Sequence, residues 1–326
     1  MNRRLLAAGL GLAAALVAGC STSSGGTTIP TVSAAVPKPG AAQDAAAVPP
    51  PGQQNCGNLL ASKSPLSPLP KPGAMPAGMA KIVARGKLIV GVDQNTFNVG
   101  FRDPFTGEIQ GFDIDMAKAI AQAIFGDPNA IQLRAVTSDQ RIPFLKSGDV
   151  DIVVRTMSIT CDRKNDVDFS AVYYQATQRV LVKKNSGITG AEQLGGKRVC
   201  ANKGSTSLSK IANQWDPKPV PVQVSDWTDC LVMLQQNEVD AVSTDDVILA
   251  GMAAQDRYTE MVGPSLGAEP YGMAVAKTPD KDFLRFVNGV IEQVRGSGRW
   301  TSSYQKWLGG LIPGATPVPP VPQYES

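Results

Sequence analysis

A chain of 326 residues is longer than one modest core requires; domains ordinarily run to about 100–200 residues, so two compact units are expected. With 43% hydrophobic and 18% charged residues, the composition excludes both wholesale disorder and a polytopic membrane protein. The net charge of +3 is spread thinly, with no aromatic-interleaved Lys/Arg cluster, so no nucleic-acid partner is expected.

In chain order, residues 1–20 read as a secretory leader: Arg3 and Arg4 supply positive charge, an apolar run occupies residues 5–17, and small residues follow. The run is shorter than the ~20 residues of a spanning helix, so it exports the chain rather than anchoring it. LVAGC, residues 16–20, resembles the bacterial lipobox, in which the Cys is diacylated on sulfur and becomes the new N-terminus. Cys20 is therefore expected to hold the protein at the outer face of the cytoplasmic membrane, each buried CH₂ of its acyl chains contributing ~0.8 kcal/mol. Residues 21–80 are rich in Ser, Thr, Gly, Pro and Ala and read as a flexible tether, with a Pro-rich stretch at 65–76; residues 311–326 repeat that composition as a disordered tail.

Between these ends, short apolar runs alternate with helical periodicity, the pattern of βαβ units. KLIVGVD (87–93) reads as a buried strand ending in an acid, and residues 111–125 as a helix with an Asp at its start. IQLRAV follows as a strand, RIPFLKSG as a short helix, and DIVVRTMSI (151–159) as a third strand. A second set starts after QRVLVKK (178–184): the strand KRVCA, a Gly/Ser/Thr loop KGSTS, a helix from about Leu208, the strand PVQVS, a helix around DCLVMLQQNE and the strand VDAVSTDD (239–246). PYGMAVAK then reads as a strand, and residues 282–308 as a helical pair interrupted at 296–298. Trp227, Trp300 and Trp307 are expected in the core or between helices, and Phe97 and Phe101 are candidates to flank a ligand.

Without Cys20, four cysteines remain, an even set suited to an oxidising compartment. They permit three pairings among which the sequence does not choose; Cys200 with Cys230, and Cys56 with Cys161 stapling the tether, is the arrangement adopted as the expectation. The chain has no His and no CxxC, so neither a metal nor another cofactor is expected. Enzyme chemistry is poorly supplied: there is no GxSxG, and LGGKR (194–198) lacks the first Gly and the Ser/Thr of a phosphate-binding loop.

In open α/β sheets ligands bind beyond the carboxyl ends of strands. After the strand at 151 come Thr156, Ser158 and Arg163; after the strand at 239 come Asp245 and Asp246. An Arg on one side and an Asp on the other complement the two charges of an α-amino acid. Asp246 is expected to cap the following helix, leaving Asp245 free.

These segments, KLIVGVD with TGEIQGFDIDMAKAIA, DIVVRTMSITCDRKNDVDFS, LGGKRVCANKGSTS, VDAVSTDDVILA and GSGRWTSSYQKWL, together resemble the polar amino-acid family of periplasmic solute-binding proteins over residues 85–308, within it the actinobacterial glutamate/glutamine-binding lipoprotein branch. The resemblance implies an α/β, type 2, two-lobe periplasmic-binding-protein-like clamp, each lobe a mostly parallel sheet flanked by helices. Lobe 1 would comprise residues 81–180 and 271–310, and lobe 2 residues 181–270, with chain crossings near 178–182 and 270–275. It implies that Arg163 holds the α-carboxylate, assisted by Ser158 and the backbone at Thr156, that Asp245 takes the α-ammonium, and that Ser205 and Thr206 cap the carboxylate from lobe 2. Asp93 aligns with a position that reads the side chain, and Arg141 with one that reads a distal carboxylate in glutamate/aspartate binders, where it would balance Asp93. Two departures, Thr156 and Asn202, put the polar network of lobe 2 in doubt.

The implied partners are a free L-amino acid (glutamate or aspartate, with glutamine and asparagine tolerated), the permease subunits of an ABC importer, and the membrane through the lipid anchor; nothing demands an oligomer, so a monomer is expected. A sensor lipoprotein reporting to a membrane signalling partner and a dehydratase-like enzyme are the competing readings of the same fold.

Overall fold

The structure, a computed structural model, describes residues 42–45, 48–50, 52, 55–312 and 318–325; the leader and the lipobox with Cys20 lie outside the described residues. Two sheets organise the chain. The first runs in the order Ile131–Ala135, Leu88–Val92, Ile152–Val153, Ala274–Ala276, Val167–Phe169, with its first three strands parallel, the fourth returning antiparallel to them and the fifth pairing antiparallel with the fourth. Leu88, Val90 and Val92 alternate onto one face and are fully buried, the signature of a strand covered by helices. The helix Phe112–Phe125 covers it through Phe112, Met116, Ile120 and Ile124, spaced by four, each such burial stabilising by ~1.5–3 kcal/mol. It stops where Gly126 turns to φ 78° and donates its N–H back to the Gln122 carbonyl.

In the second sheet the order is Gln43–Asp44, Val220–Val224, Arg198–Asn202, Ala241–Asp245, Tyr174–Lys183, Thr259–Val262, parallel at its centre. Cys200 in its middle strand is bonded to Cys230 on the helix Trp227–Gln235 that covers it.

One long strand joins the two halves. Residues 174–177 of Tyr174–Lys183 pair with Ala268–Tyr271, while residues 178–183 already lie within the second sheet. The crossing is therefore at 174–177 and 268–271, earlier than the expected 178–182 and 270–275. Gln175, Thr177 and Gln178 interrupt the apolar run and hid the start of the strand, yet burial alternates through them, as a two-stranded hinge with one wet face requires.

Two further expectations are corrected. The run DIVVRTMSI is laddered only at Ile152–Val153, because Thr156 enters the left-handed region at φ 38° and turns the chain into a loop. Described parts of the tether and tail also carry structure. Gln43–Asp44 adds to the edge of the second sheet, with Asp44 Oδ1 2.8 Å from Arg198 Nη1. Cys56 is bonded to Cys161, Ala61–Ser62 pairs with Gln323–Tyr324, and Ser62 donates to the Phe169 carbonyl. Composition missed this because these residues build no core of their own; they satisfy their backbone on free edges and lean Leu66, Leu69 and Met75 on a core already formed.

Candidate functional site

The loop that leaves Val153 faces the N-terminal end of the helix Thr206–Asn213 across the two lobes, with the crossing strands behind. Thr156, a β-branched residue at positive φ, is held there by its own N–H, which donates to Asp113 Oδ2 at 2.9 Å; Asp113 Oδ1 accepts the Tyr173 hydroxyl at 2.8 Å. Burial pushes the Asp113 carboxyl up to about 7. The loop is stitched to the hinge through Gly272 N–H to Met157 O and Ile159 N–H to Pro270 O.

Two guanidiniums converge from lobe 1. Arg141 opens the helix Arg141–Ser147 and is 3% exposed; it donates to the carbonyls of Ser138 (2.8 Å), Arg155 (3.2 Å) and, across the cleft, Gly204 (3.3 Å). Arg163 sits in the helix Cys161–Asp166, whose cap Thr160 accepts the Arg163 N–H, and it donates to Ser158 O at 2.7 Å and to the same Gly204 O at 3.0 Å. Burial pulls both below the usual arginine range, Arg141 far below it because Arg163 and Arg155 also repel it. Among the described residues neither guanidinium has a carboxylate within 4.0 Å.

Lobe 2 answers with Asp245. Its Oδ2 accepts the Tyr271 hydroxyl at 2.5 Å, and its Oδ1 is buried without a partner. Burial, with repulsion from Glu269, holds its carboxyl well above the usual range. Asp246 takes the structural work: it accepts from Val247 N–H and from both N–H and hydroxyl of Thr177, leaving Asp245 at the N-cap position without a capping bond. Glu269 is neutralised by Lys210 at 2.6 Å and accepts the Thr206 hydroxyl at 3.0 Å. The Ser205 hydroxyl caps its helix, accepting Leu208 N–H and donating to Asn202 O. Asn202 is itself fully buried with both amide atoms unpaired.

A narrow pocket between the lobes is lined by Arg141, Arg163, Thr156, Ser158, Ser205, Thr206 and Asp245, together with Ser138, Ser207, Trp227, Thr244 and Ile248. Seven of the eight expected ligand residues meet there; Asp93 does not. Its Oδ1 accepts the N–H groups of Gln94 and Asn95, its Oδ2 the Thr96 hydroxyl, and its charge is matched by Arg155 at 3.0 Å. The direct contact of Asp93 is thus with Arg155, fully buried and donating to Ser138 Oγ, while on Arg141 Asp93 acts only through space, favouring its charged form. Arg155 was passed over as strand interior. Trp227 is in the core as expected, 3% exposed, and it also lines the pocket, with an unpaired indole N–H, just beyond the end of Val220–Val224, where the strand-end rule points. Phe97 and Phe101 pack against each other, ring centroids 5.0 Å apart and tilted, outside the pocket lining.

Two lobes on a two-stranded hinge, with guanidiniums from one side and a carboxyl from the other converging on the cleft between them, define a ligand-binding clamp. The chain belongs to the bacterial extracellular solute-binding proteins, family 3, which match residues 88–310. It is 40% identical over 231 residues to the ABC transporter glutamine-binding protein GlnH of Bacillus subtilis, covering 71% of this chain and 84% of that one. It is 42% identical over 200 residues to a glutamine-binding protein of Geobacillus stearothermophilus, covering 61% and 76%. Among solved structures, the cysteine-binding protein of Campylobacter jejuni superposes with a TM-score of 0.70 at 29% identity, covering 74% of this chain and 96% of that chain. These relatives are solute-binding proteins, and this chain is one too rather than an enzyme.

Proposed function

We propose that this solute-binding protein captures a free acidic L-amino acid, glutamate or aspartate, by closing its lobes, and presents it to an ABC importer from the outer face of the cytoplasmic membrane, where Cys20 carries the lipid anchor. One observation carries the choice of ligand: two guanidiniums, that of Arg141 buried and that of Arg163 half-buried, and one unpaired carboxyl oxygen, on Asp245, line the same pocket. An acidic amino acid brings two carboxylates and one ammonium, the complement of that set. Arg163 takes the α-carboxylate, aided by Ser158, Ser205, Thr206 and the first N–H groups of the helix Thr206–Asn213. Asp245 ionises on meeting the ammonium, and Arg141 takes the distal carboxylate. Asp93 acts from behind, through Arg155 and Ser138. Glutamine and asparagine fit the same pocket but leave Arg141 without an anion, so they bind more weakly.

A second reading, glutamine as the preferred ligand, is supported by the names of the relatives at 40% and 42% identity, while a relative from Rhodobacter capsulatus at 32% is named for glutamate, glutamine, aspartate and asparagine together. Uptake of labelled glutamate by a strain lacking the gene tests the transport role. Uptake falls if the proposal holds and competes with unlabelled aspartate in the parent strain; unchanged uptake contradicts it and leaves sensing as the use of the clamp.

A further inference from the structure

The helix Asp246–Gln255 of lobe 2 presents Gly251 to lobe 1, buried against the hairpin formed by Asn95–Thr96 and Gly100–Arg102. A Cβ at Gly251 would stand 2.8 Å from the Phe97 carbonyl oxygen and 3.5 Å from Phe97 Cβ. That is closer than a carbon approaches a backbone oxygen without displacement of one or the other. Gly251 is helical and absent from the residues at positive φ, so its backbone has no need of glycine. Inside a helix glycine is the poorer choice beside alanine, since it leaves more chain entropy to be lost on folding. What excludes a side chain here is therefore the approach of the other lobe.

Nor can the Phe97 carbonyl retreat cheaply. Phe97 packs against Phe101 with the rings tilted at 54°, and Phe101 meets Trp307 edge-on at 6.1 Å. The preceding turn is held by Asp93, which accepts from Gln94, Asn95 and Thr96 and is itself fixed by Arg155. The opposite rim is built alike, since a Cβ on Gly204 would come within 2.8 Å of Asp139 Cα; Gly204, however, has φ +76° and would resist substitution in either state of the clamp. Gly251 separates the two causes.

We propose that Gly251 is a closure-determining residue: the missing side chain lets the helix Asp246–Gln255 seat on the Phe97 turn, and a single methyl group there holds the clamp ajar without touching the ligand or its contacts. The inference rests on ligand capture by lobe closure.

The test is Gly251→Ala in the full chain, compared with the parent by thermal unfolding and by small-angle scattering, with and without a mixture of the twenty amino acids so that the result does not depend on which one binds. Calorimetry with the ligand found for the parent completes it. The expected result is a ligand-free Tm equal to or above that of the parent, a smaller compaction on adding amino acids, and at least tenfold weaker binding arising in the dissociation rate. Equal compaction with affinity within twofold of the parent overturns the inference alone. Stability and affinity falling together also overturns it, because the residue would then be ordinary packing. A parent that does not compact at all overturns the clamp reading beneath it.

Discussion

Replacing Arg141 with glutamine separates a reader of charge from a piece of scaffold. Its guanidinium donates to Ser138 O, Arg155 O and Gly204 O, all carbonyls of the protein itself. Losing them weakens all ligands alike. The part that depends on the ligand is a charge-assisted hydrogen bond to a distal carboxylate, worth about 1.5–3 kcal/mol. At about 1.4 kcal/mol per decade this is roughly 10- to 150-fold in affinity. Arg141→Gln should therefore weaken glutamate by that factor beyond whatever it does to glutamine, and the Kd ratio of the two ligands should move by the same amount. Isothermal calorimetry of parent and variant with both ligands at pH 7 measures it. A ratio unchanged to within threefold refutes the assignment and makes Arg141 a scaffold residue.

Burial and repulsion from Glu269 raise the Asp245 carboxyl and an ammonium beside it lowers it again, so binding should release protons and Kd should tighten as pH rises; calorimetry in two buffers of different ionisation enthalpy reads the release, and zero release contradicts the pairing. Asp245→Asn should cost at least about 3 kcal/mol of binding, by the measure of breaking a buried ion pair on one side. Asp113 has its carboxyl raised from 3.8 to about 7 in the folded protein, so the folded state holds the proton more tightly than the unfolded one. Its contribution to stability is fully present below the unfolded value and is lost as pH rises through the folded one, at up to roughly 1.4 kcal/mol for each step of one in pH between the two. Asp113→Asn should flatten the decline of Tm across that window, and an unchanged slope contradicts this. Removing the Cys200–Cys230 bond, which spans 30 residues, should cost roughly 3–4 kcal/mol by the chain-entropy estimate, seen as a lower urea midpoint in the Cys200→Ser/Cys230→Ser variant.

Local signals carried the fold far, because strand and helix periods are written in neighbouring residues: the strands at 88, 131, 198, 220 and 241 all lie where apolar runs placed them. The strand-end rule found Arg163 and Asp245 on opposite walls of one cavity. What stayed hidden was set by topology. Asp93 and Arg155 meet because two adjacent parallel strands end together, and nothing near either residue in the sequence announces the other. Asp113 looked like a helix cap; Gly111 occupies that position, and Asp113 reaches back to a loop that only the sheet order brings near. Tyr271 falls in the expected strand PYGMAVAK and Glu269 just before it, outside every expected element, though the hinge turns both toward the site, one to Thr206 and one to Asp245.

Calorimetric titration of the purified chain, freed of carried-over ligand, with glutamate, aspartate, glutamine and asparagine, repeated on Arg163→Ala, tests the central claim most directly. The two acids binding more tightly than their amides, and all four losing measurable binding in the variant, is the outcome the account predicts. Tighter binding of glutamine than of glutamate, or binding that survives the loss of Arg163, would contradict it.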